Sequence, residues 1–475
     1  MVEALSSPRL LSRHGIRLGR AVKSLNSQRD EFGEGESAVN RVRELVKLCS
    51  DWIKGGLSGQ ELIEELEEEC GKLGLSEEFA RRLLGLMLDE EERLRGGRPA
   101  PSGLKLREFA SKVQELQRMG EKVMRLELGE PDFSAPPSVV EAACKALREG
   151  YSKYGPATGI KELRQAVASK LSERFGLDLK PENVVITAGG TFAVYGSIEA
   201  VTKPGDEVVV IEPAWPLYAH QARWLGRRVL TIRTRFEEDW DPVEMLQEKV
   251  SKLTKLIILN YPNNPTGKIL DRGSLKAILE LAEDAGAWVL GDEVYMDFCY
   301  KDGFASVLEL PAERKIMVNS FSKTWGMTGF RVGYIVSDPE VAMKVARAQN
   351  TAMTCIPEFV QRAALAALSD EESARRNIEL IGERLKILYE ELSRSKLIEV
   401  KPPEGAMYIF PRIKVDGFDS WRFAWTLLEK KRVSIAPGAC FGEDYNSYLR
   451  ISAVLDGEPL REACRRIREA IEEYS

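Results

Sequence analysis

The chain has 475 residues, 44% of them hydrophobic and 30% charged, with a formal net charge of -6. That length exceeds one compact core and fits two or three domains, and the acidic balance argues against a nucleic-acid binder. No apolar run approaches a membrane span, no secretory leader is apparent, and the two histidines, His14 and His220, nearly exclude histidine-based metal sites and Ser-His or Cys-His triads. The seven cysteines form no CxxC pair and read as reduced thiols of a cytosolic protein.

Residues 1–100 contain no strand-like run and predict an all-helical accessory region. The first 33 are basic, with six Lys/Arg against three acids, superficially like an organellar transit peptide or a flexible arm. In "AVNRVRELVKLCSDWIKGG", Val39, Val42, Leu45, Val46, Leu48 and Ile53 lie roughly on one helical face, and a glycine pair ends it. "LSGQELIEELEEECGKLG" places Ser58 as a cap with Glu61 three residues later. "LSEEFARRLLGLMLDEEERLRGG" repeats the form from Ser76, and "GGRPAPSG" reads as a linker. The two helical stretches have a helix-turn-helix cadence. However, sixteen acids against ten Lys/Arg between Glu34 and Pro99 would repel a polyanion, so DNA binding is not expected.

From Leu104 the texture changes. "NVVIT", "EVVVI", "LIILN", "AWVLGD", "KIMVN" and "VGYIVS" are short apolar runs with amphipathic segments between several of them. They predict an α/β layer with a mostly parallel central sheet flanked by helices. After about residue 375 a long amphipathic helix leads into "EGAMYIFPRI" and "YLRISAV", the pattern of a smaller α+β domain, and "EPLREACRRIREAIEEY" forms a last helix.

In open α/β sheets ligands bind at the carboxyl ends of the strands. "NVVITAGGT" leads into a helix through Gly189, Gly190 and Thr191, an anion cradle or an ordinary turn. "LIILNYPNNPTG" offers Asn264 before a Pro-Thr-Gly turn, an amide donor or a plain turn. "AWVLGDEVY" ends in Asp292, with Tyr295 three residues on. Asp292 reads either as a helix cap or as the counter-ion of a cationic ring nitrogen; at ~4 Å and an effective dielectric of ~20 such a pair is worth about 4 kcal/mol. "SFSKTWGMTGFRVGY" sets Lys323 between serine and threonine at a strand mouth. An ordinary lysine is neutral about once in 2,500 at pH 7, so a nucleophilic one needs a special environment. A lysine, a ring-nitrogen acid, an amide donor and a phosphate cradle together fit pyridoxal 5′-phosphate (PLP).

From about Leu106 to the C-terminus the sequence resembles the class I/II aminotransferases of fold type I, the aspartate aminotransferase kind. The resemblance implies that Lys323 carries the cofactor aldehyde and moves the proton between cofactor and substrate carbons. It implies phosphate contacts from Ser320, Ser322, Arg331, Gly190 and Thr191. "EPAWPLY" matches at Trp215, which would stack on the pyridine ring. Asn264 and Tyr295 would meet the phenolic oxygen and Asp292 the pyridinium. "LGEPDF" matches at Gly129 and "YLRIS" at Arg450, which with Trp215 and Asn264 would bind the substrate, Arg450 clamping the α-carboxylate. "KYGPATGIKELR" matches a segment that reaches across a homodimer, so Tyr154 would touch the phosphate in the partner subunit.

The implied activity is exchange of an amino group between an L-amino acid and a 2-oxo acid, with 2-oxoglutarate as the expected acceptor, in a cytoplasmic enzyme without metal. The implied organisation is a helical accessory region at 1–100, the N-terminal segment of the small domain at 101–140, a large PLP-binding domain at 141–370 and a C-terminal small domain at 371–475. A fold-type I carbon–sulfur β-lyase, an aminocyclopropanecarboxylate-synthase-like enzyme and a PLP-binding regulator share this cofactor shell and stay open. Two positions depart from acidic-substrate relatives. Thr191 stands where some bacterial members carry lysine. "AQNTAMTCIPEF" (348–359) stands where others carry a side-chain-recognising residue, and it has no arginine.

Overall fold

The computed structural model describes residues 45, 59–72, 80 and 102–474. The chain divides into two compact units, residues 1–91 and 92–475. In the first, a helix spans Gly59–Lys72. Leu66 and Cys70, four apart and so on one face, are both fully buried. Ser58, the stretch from Val39 to Ile53 apart from the buried Leu45, the repeat from Ser76 apart from the buried Ala80, and the linker before Ser102 lie outside the described residues.

The second unit is built on two main sheets. Its first strand, β1 (Met124–Leu126), belongs to the smaller one. A seven-stranded sheet holds β2 (Val184–Thr187), β3 (Glu207–Glu212), β4 (Arg228–Arg233), β5 (Thr254–Asn260), β6 (Trp288–Asp292), β7 (Lys315–Ser320) and β8 (Gly333–Ser337), in the order β2-β8-β7-β6-β5-β3-β4. Every neighbouring pair is parallel except the two made by β8. The carboxyl ends of β2, β3, β5, β6 and β7 therefore share one edge. β8 runs the other way and brings its amino end, with Arg331 just before it, to that same edge.

Both sheet faces are covered, as a parallel sheet requires. Ile186, Val209, Ile257, Val289 and Met317 enter one core, while their neighbours Val185, Val208, Ile258, Leu290 and Ile316 enter the other. Asp271 accepts from the backbone of Gly273 and Ser274 to start the helix Arg272–Ala285, and Gly286 at φ +70° ends it.

Two short strands, β9 (Ile398–Glu399) and β11 (Arg412–Ile413), pair antiparallel. β10 (Tyr408–Ile409), β12 (Val433–Pro437) and β13 (Leu449–Ser452) join β1 in a four-stranded sheet of order β1-β12-β13-β10. β1 thus pairs with a strand some 300 residues later. The helix Ser102–Arg118 belongs to the same layer: Phe109 and Val113 are fully buried, and the Phe109 ring meets Trp425 edge-on at 4.8 Å. Among the described residues no helix is long and apolar enough to cross a membrane.

The six apolar runs read as strands are strands. β1, β4, β9 and β12 are additional to these and to the strands within "EGAMYIFPRI" and "YLRISAV". β4 is an edge strand, mostly half-buried, so it lacks a continuous apolar run, and β1 has only three residues.

Candidate active site

The carboxyl edge of the large sheet faces the small sheet across a cavity of about 340 Å³. Twelve of the thirteen residues singled out in the sequence line it: Gly129, Gly190, Thr191, Trp215, Asn264, Asp292, Tyr295, Ser320, Ser322, Lys323, Arg331 and Arg450. Tyr154 does not, and it is 87% exposed.

Close backbone approach shapes one end. β2 runs into the helix Gly189–Val201 beside the end of β7 and the start of β8. A side chain at Gly333 would lie 2.7 Å from the Asn319 carbonyl and 2.9 Å from the Gly190 nitrogen, so glycine is required there. Gly189, at φ +70°, leaves room for the Arg331 guanidinium, which a Cβ would approach to 2.5 Å. The Ser320 hydroxyl donates to Ser322 Oγ at 2.7 Å and accepts from the Ser322 amide at 3.0 Å. Arg331 donates to the Thr328 carbonyl at 2.9 Å and, among the described residues, has no carboxylate partner. A helix start, a serine pair and an uncommitted guanidinium make a concave, electropositive cradle whose donor set fits a phosphate.

Asp292, at the end of β6, is 4% exposed. It accepts from the Tyr218 hydroxyl at 2.6 Å and, more weakly, from the Val294 amide at 3.3 Å. No helix follows β6, so Asp292 is not a helix cap: its carboxylate meets the backbone of a turn and also lines the cavity. Burial pushes its pKa up to about 6, against Tyr218, Val294 and the Lys323 charge. A cation placed beside it would favour the ionised form. Tyr218 was missed in the sequence, although it ends the quoted "EPAWPLY". Its ring packs edge-on against Trp215 at 5.2 Å.

Lys323 donates to the Gly129 carbonyl at 2.5 Å. Burial pushes its pKa down to about 8; the positive charges of Arg450 and Arg331 push the same way, while Glu130 and Asp292 oppose. At pH 7 its neutral fraction is then about one in ten, some 200-fold more than for an ordinary lysine. A half-buried amine of this kind, beside a phosphate cradle and an acid, can hold an aldehyde and transfer protons.

The opposite wall comes from the small sheet. Arg450, on β13, is 3% exposed. It donates to Asn264 Oδ1 at 3.2 Å and to the Glu127 carbonyl at 2.5 Å, lies 4.6 Å from the Tyr408 ring centre, and has a buried Nε without a partner. A buried guanidinium with an unsatisfied donor is poised for a carboxylate. Tyr408, also missed in the sequence, pairs its hydroxyl with that of Tyr295 at 2.6 Å. Its oxygen would lie 2.3 Å from any Cβ at residue 129, which is why Gly129 must be glycine. Arg384 fixes the loop after Gly129: it grips both Asp132 oxygens, at 2.6 and 2.9 Å, and Asp456. Phe441 and Arg107 also line the cavity, and none of residues 348–359 does.

The sequence profile described as Aminotransferase class I and II matches residues 121–467. An aspartate aminotransferase of Pyrococcus horikoshii is 40% identical over 371 residues, covering 76% of this chain and 95% of that protein. An aromatic-amino-acid aminotransferase of Thermococcus litoralis is 35% identical, over 76% of this chain and 95% of its own length. The crystal structure of an aspartate aminotransferase of Thermotoga maritima superposes with a TM-score of 0.74 at 35% identity, covering 78% of this chain and 97% of that one.

Proposed function

Because the chain belongs to the class I and II aminotransferases and is a PLP-dependent transaminase of fold type I, we propose the residues that do the work and the acceptor they serve. The observation that carries the assignment is one cavity holding a half-buried, pKa-depressed Lys323, the buried Asp292 and the partly unsatisfied Arg450.

When bound, PLP supplies an electron sink that lets the Cα–H bond of an attached amino acid ionise. In our reading Lys323 would hold the cofactor aldehyde and, when free, its amine would take and return the proton at the substrate Cα. Asp292, held by Tyr218, keeps the ring nitrogen protonated. Gly190, Thr191, Ser320, Ser322 and Arg331 hold the phosphate, and Trp215 stacks on the ring. Asn264 and Tyr295 meet the phenolic oxygen. Arg450 and the Gly129 amide hold the α-carboxylate and so orient the Cα–H bond toward Lys323.

We assign 2-oxoglutarate as the acceptor that completes the cycle. We also propose a cytoplasmic homodimer in which Tyr154 reaches the partner's phosphate. The support is its 87% exposure and its place outside the cavity of its own chain. Among the described residues no two cysteines form a disulfide, which fits a reducing compartment. Residues 1–100 are assigned as an accessory helical region, 141–370 as the large domain, and 101–140 with 371–475 as the small domain; the pairing of β1 with β12 supports that last union.

The test is a panel of amino acids and 2-oxo acids with the purified holoenzyme, following both cofactor absorbance and product. Strict dependence of turnover on 2-oxoglutarate supports the acceptor. Release of ammonia without need of any oxo acid would favour the lyase alternative.

A further inference from the structure

Resting on the 2-oxoglutarate reading above, we propose that Arg107 reads the distal carboxylate of 2-oxoglutarate and of acidic amino acids. 2-Oxoglutarate carries two carboxylates, and Arg450 accounts for only one. The second enters the same cavity, where an unpaired charge is costly.

Four cations line the cavity among the described residues: Arg107, Lys323, Arg331 and Arg450. Lys323, half-buried, and Arg450, buried, are engaged with Gly129, Asn264 and Glu127, and Arg331 belongs to the phosphate cradle. Arg107 remains. No carboxylate among the described residues lies within ion-pair distance of it. The cavity's acids have other partners: Glu127 pairs with Arg125 at 2.6 Å, Asp292 is held by Tyr218, and Glu130 accepts from the Thr328 hydroxyl.

Its helix is fixed where it needs to be. Phe109 and Val113 anchor Ser102–Arg118 in the small-sheet core. Arg107, two residues before Phe109, lies on a different helix face and is exposed, lining the cavity together with Leu106. The same helix packs against the turn Gly438–Phe441. Phe441, from that turn, lines the cavity and lies 5.0 Å from the Arg450 guanidinium. Arg107 therefore belongs to the Arg450 wall and not to the phosphate end. The guanidinium fork suits a carboxylate, and it compensates for the missing cation at Thr191 and for the absence of residues 348–359 from this lining.

The test compares wild-type holoenzyme with R107A and R107K. Acceptor use is measured with 2-oxoglutarate and pyruvate. Binding of succinate and butyrate, a diacid and a monoacid of equal carbon count, is followed by cofactor absorbance. Because the guanidinium sits at an exposed mouth, R107A is expected to lower the 2-oxoglutarate-to-pyruvate ratio of kcat/KM about tenfold, and to weaken succinate relative to butyrate by a similar factor. R107K falls between. A wild-type preference for the diacids that stays within about twofold in R107A overturns the role of Arg107 and leaves the acceptor assignment standing. A wild-type enzyme that prefers pyruvate and butyrate overturns both.

Discussion

The two walls of the cavity are built differently. The large-sheet wall takes its groups from the ends of neighbouring parallel strands, each within a few residues of a buried apolar run. The small-sheet wall gathers Arg107, Gly129, Tyr408, Phe441 and Arg450 from segments up to some 340 residues apart. The first wall is a property of sheet topology, since any polar residue after those strands faces the same edge. The second depends on long-range packing: Arg384 gripping Asp132 and Asp456, and Phe109 seated against Trp425. In the assignment proposed above, the cofactor contacts fall on the strand-end wall and the substrate carboxylate on the wall assembled by long-range packing.

The largest effect that would separate the walls is expected at Lys323. K323A should lower turnover by at least about 10³-fold and abolish the absorbance of lysine-bound cofactor, while the protein still folds. On the other wall, R450A should cost about 10²-fold in kcat/KM for the amino acid yet keep that absorbance, because it removes a buried carboxylate partner and leaves Lys323 itself in place. Loss of the absorbance in R450A would contradict the division.

A smaller effect tests the packing behind Gly129. G129A should cost about 1–3 kcal/mol of stability or substrate binding by driving a methyl into the Tyr408 hydroxyl. Y408F, which removes that oxygen, should recover part of the loss in the double variant; strict additivity would show that the two residues do not meet.

The smallest effect joins the walls electrically. Only the neutral form of Lys323 attacks an aldehyde, and its pKa is depressed to about 8. The rate of cofactor loading onto the apoprotein should therefore rise with pH and level off above about 8, whereas an ordinary lysine would keep gaining until about 10.4. Arg450 contributes to that depression across the cavity, so R450A should move the midpoint upward. An unchanged midpoint would mean that burial alone sets it.

The same contrast explains what could be read from the sequence. Lys323, Asp292, Asn264 and Gly190 were visible because a strand announces itself as an apolar run and its end is then known to within a residue or two. Gly129 and Arg450 were reached only through resemblance to a family. Tyr218 gives no such signal, since nothing local says that its hydroxyl lies 2.6 Å from a carboxylate 74 residues away. Tyr408 and Arg107 carry no local signal at all: one sits in a two-residue strand, the other on the exposed face of an amphipathic helix. Three of the four added strands escaped for related reasons: β1 has three residues and β9 two, and β4 is half-exposed at a sheet edge.

The central claim is that Lys323 is the residue that carries the cofactor. Borohydride reduction of the carbon–nitrogen bond between enzyme and cofactor, followed by peptide mass spectrometry, tests it most directly. The account predicts the cofactor mass on the peptide containing Lys323 and on no other lysine. Cofactor found on a different lysine, or none retained after reduction of a spectrally loaded enzyme, would contradict it.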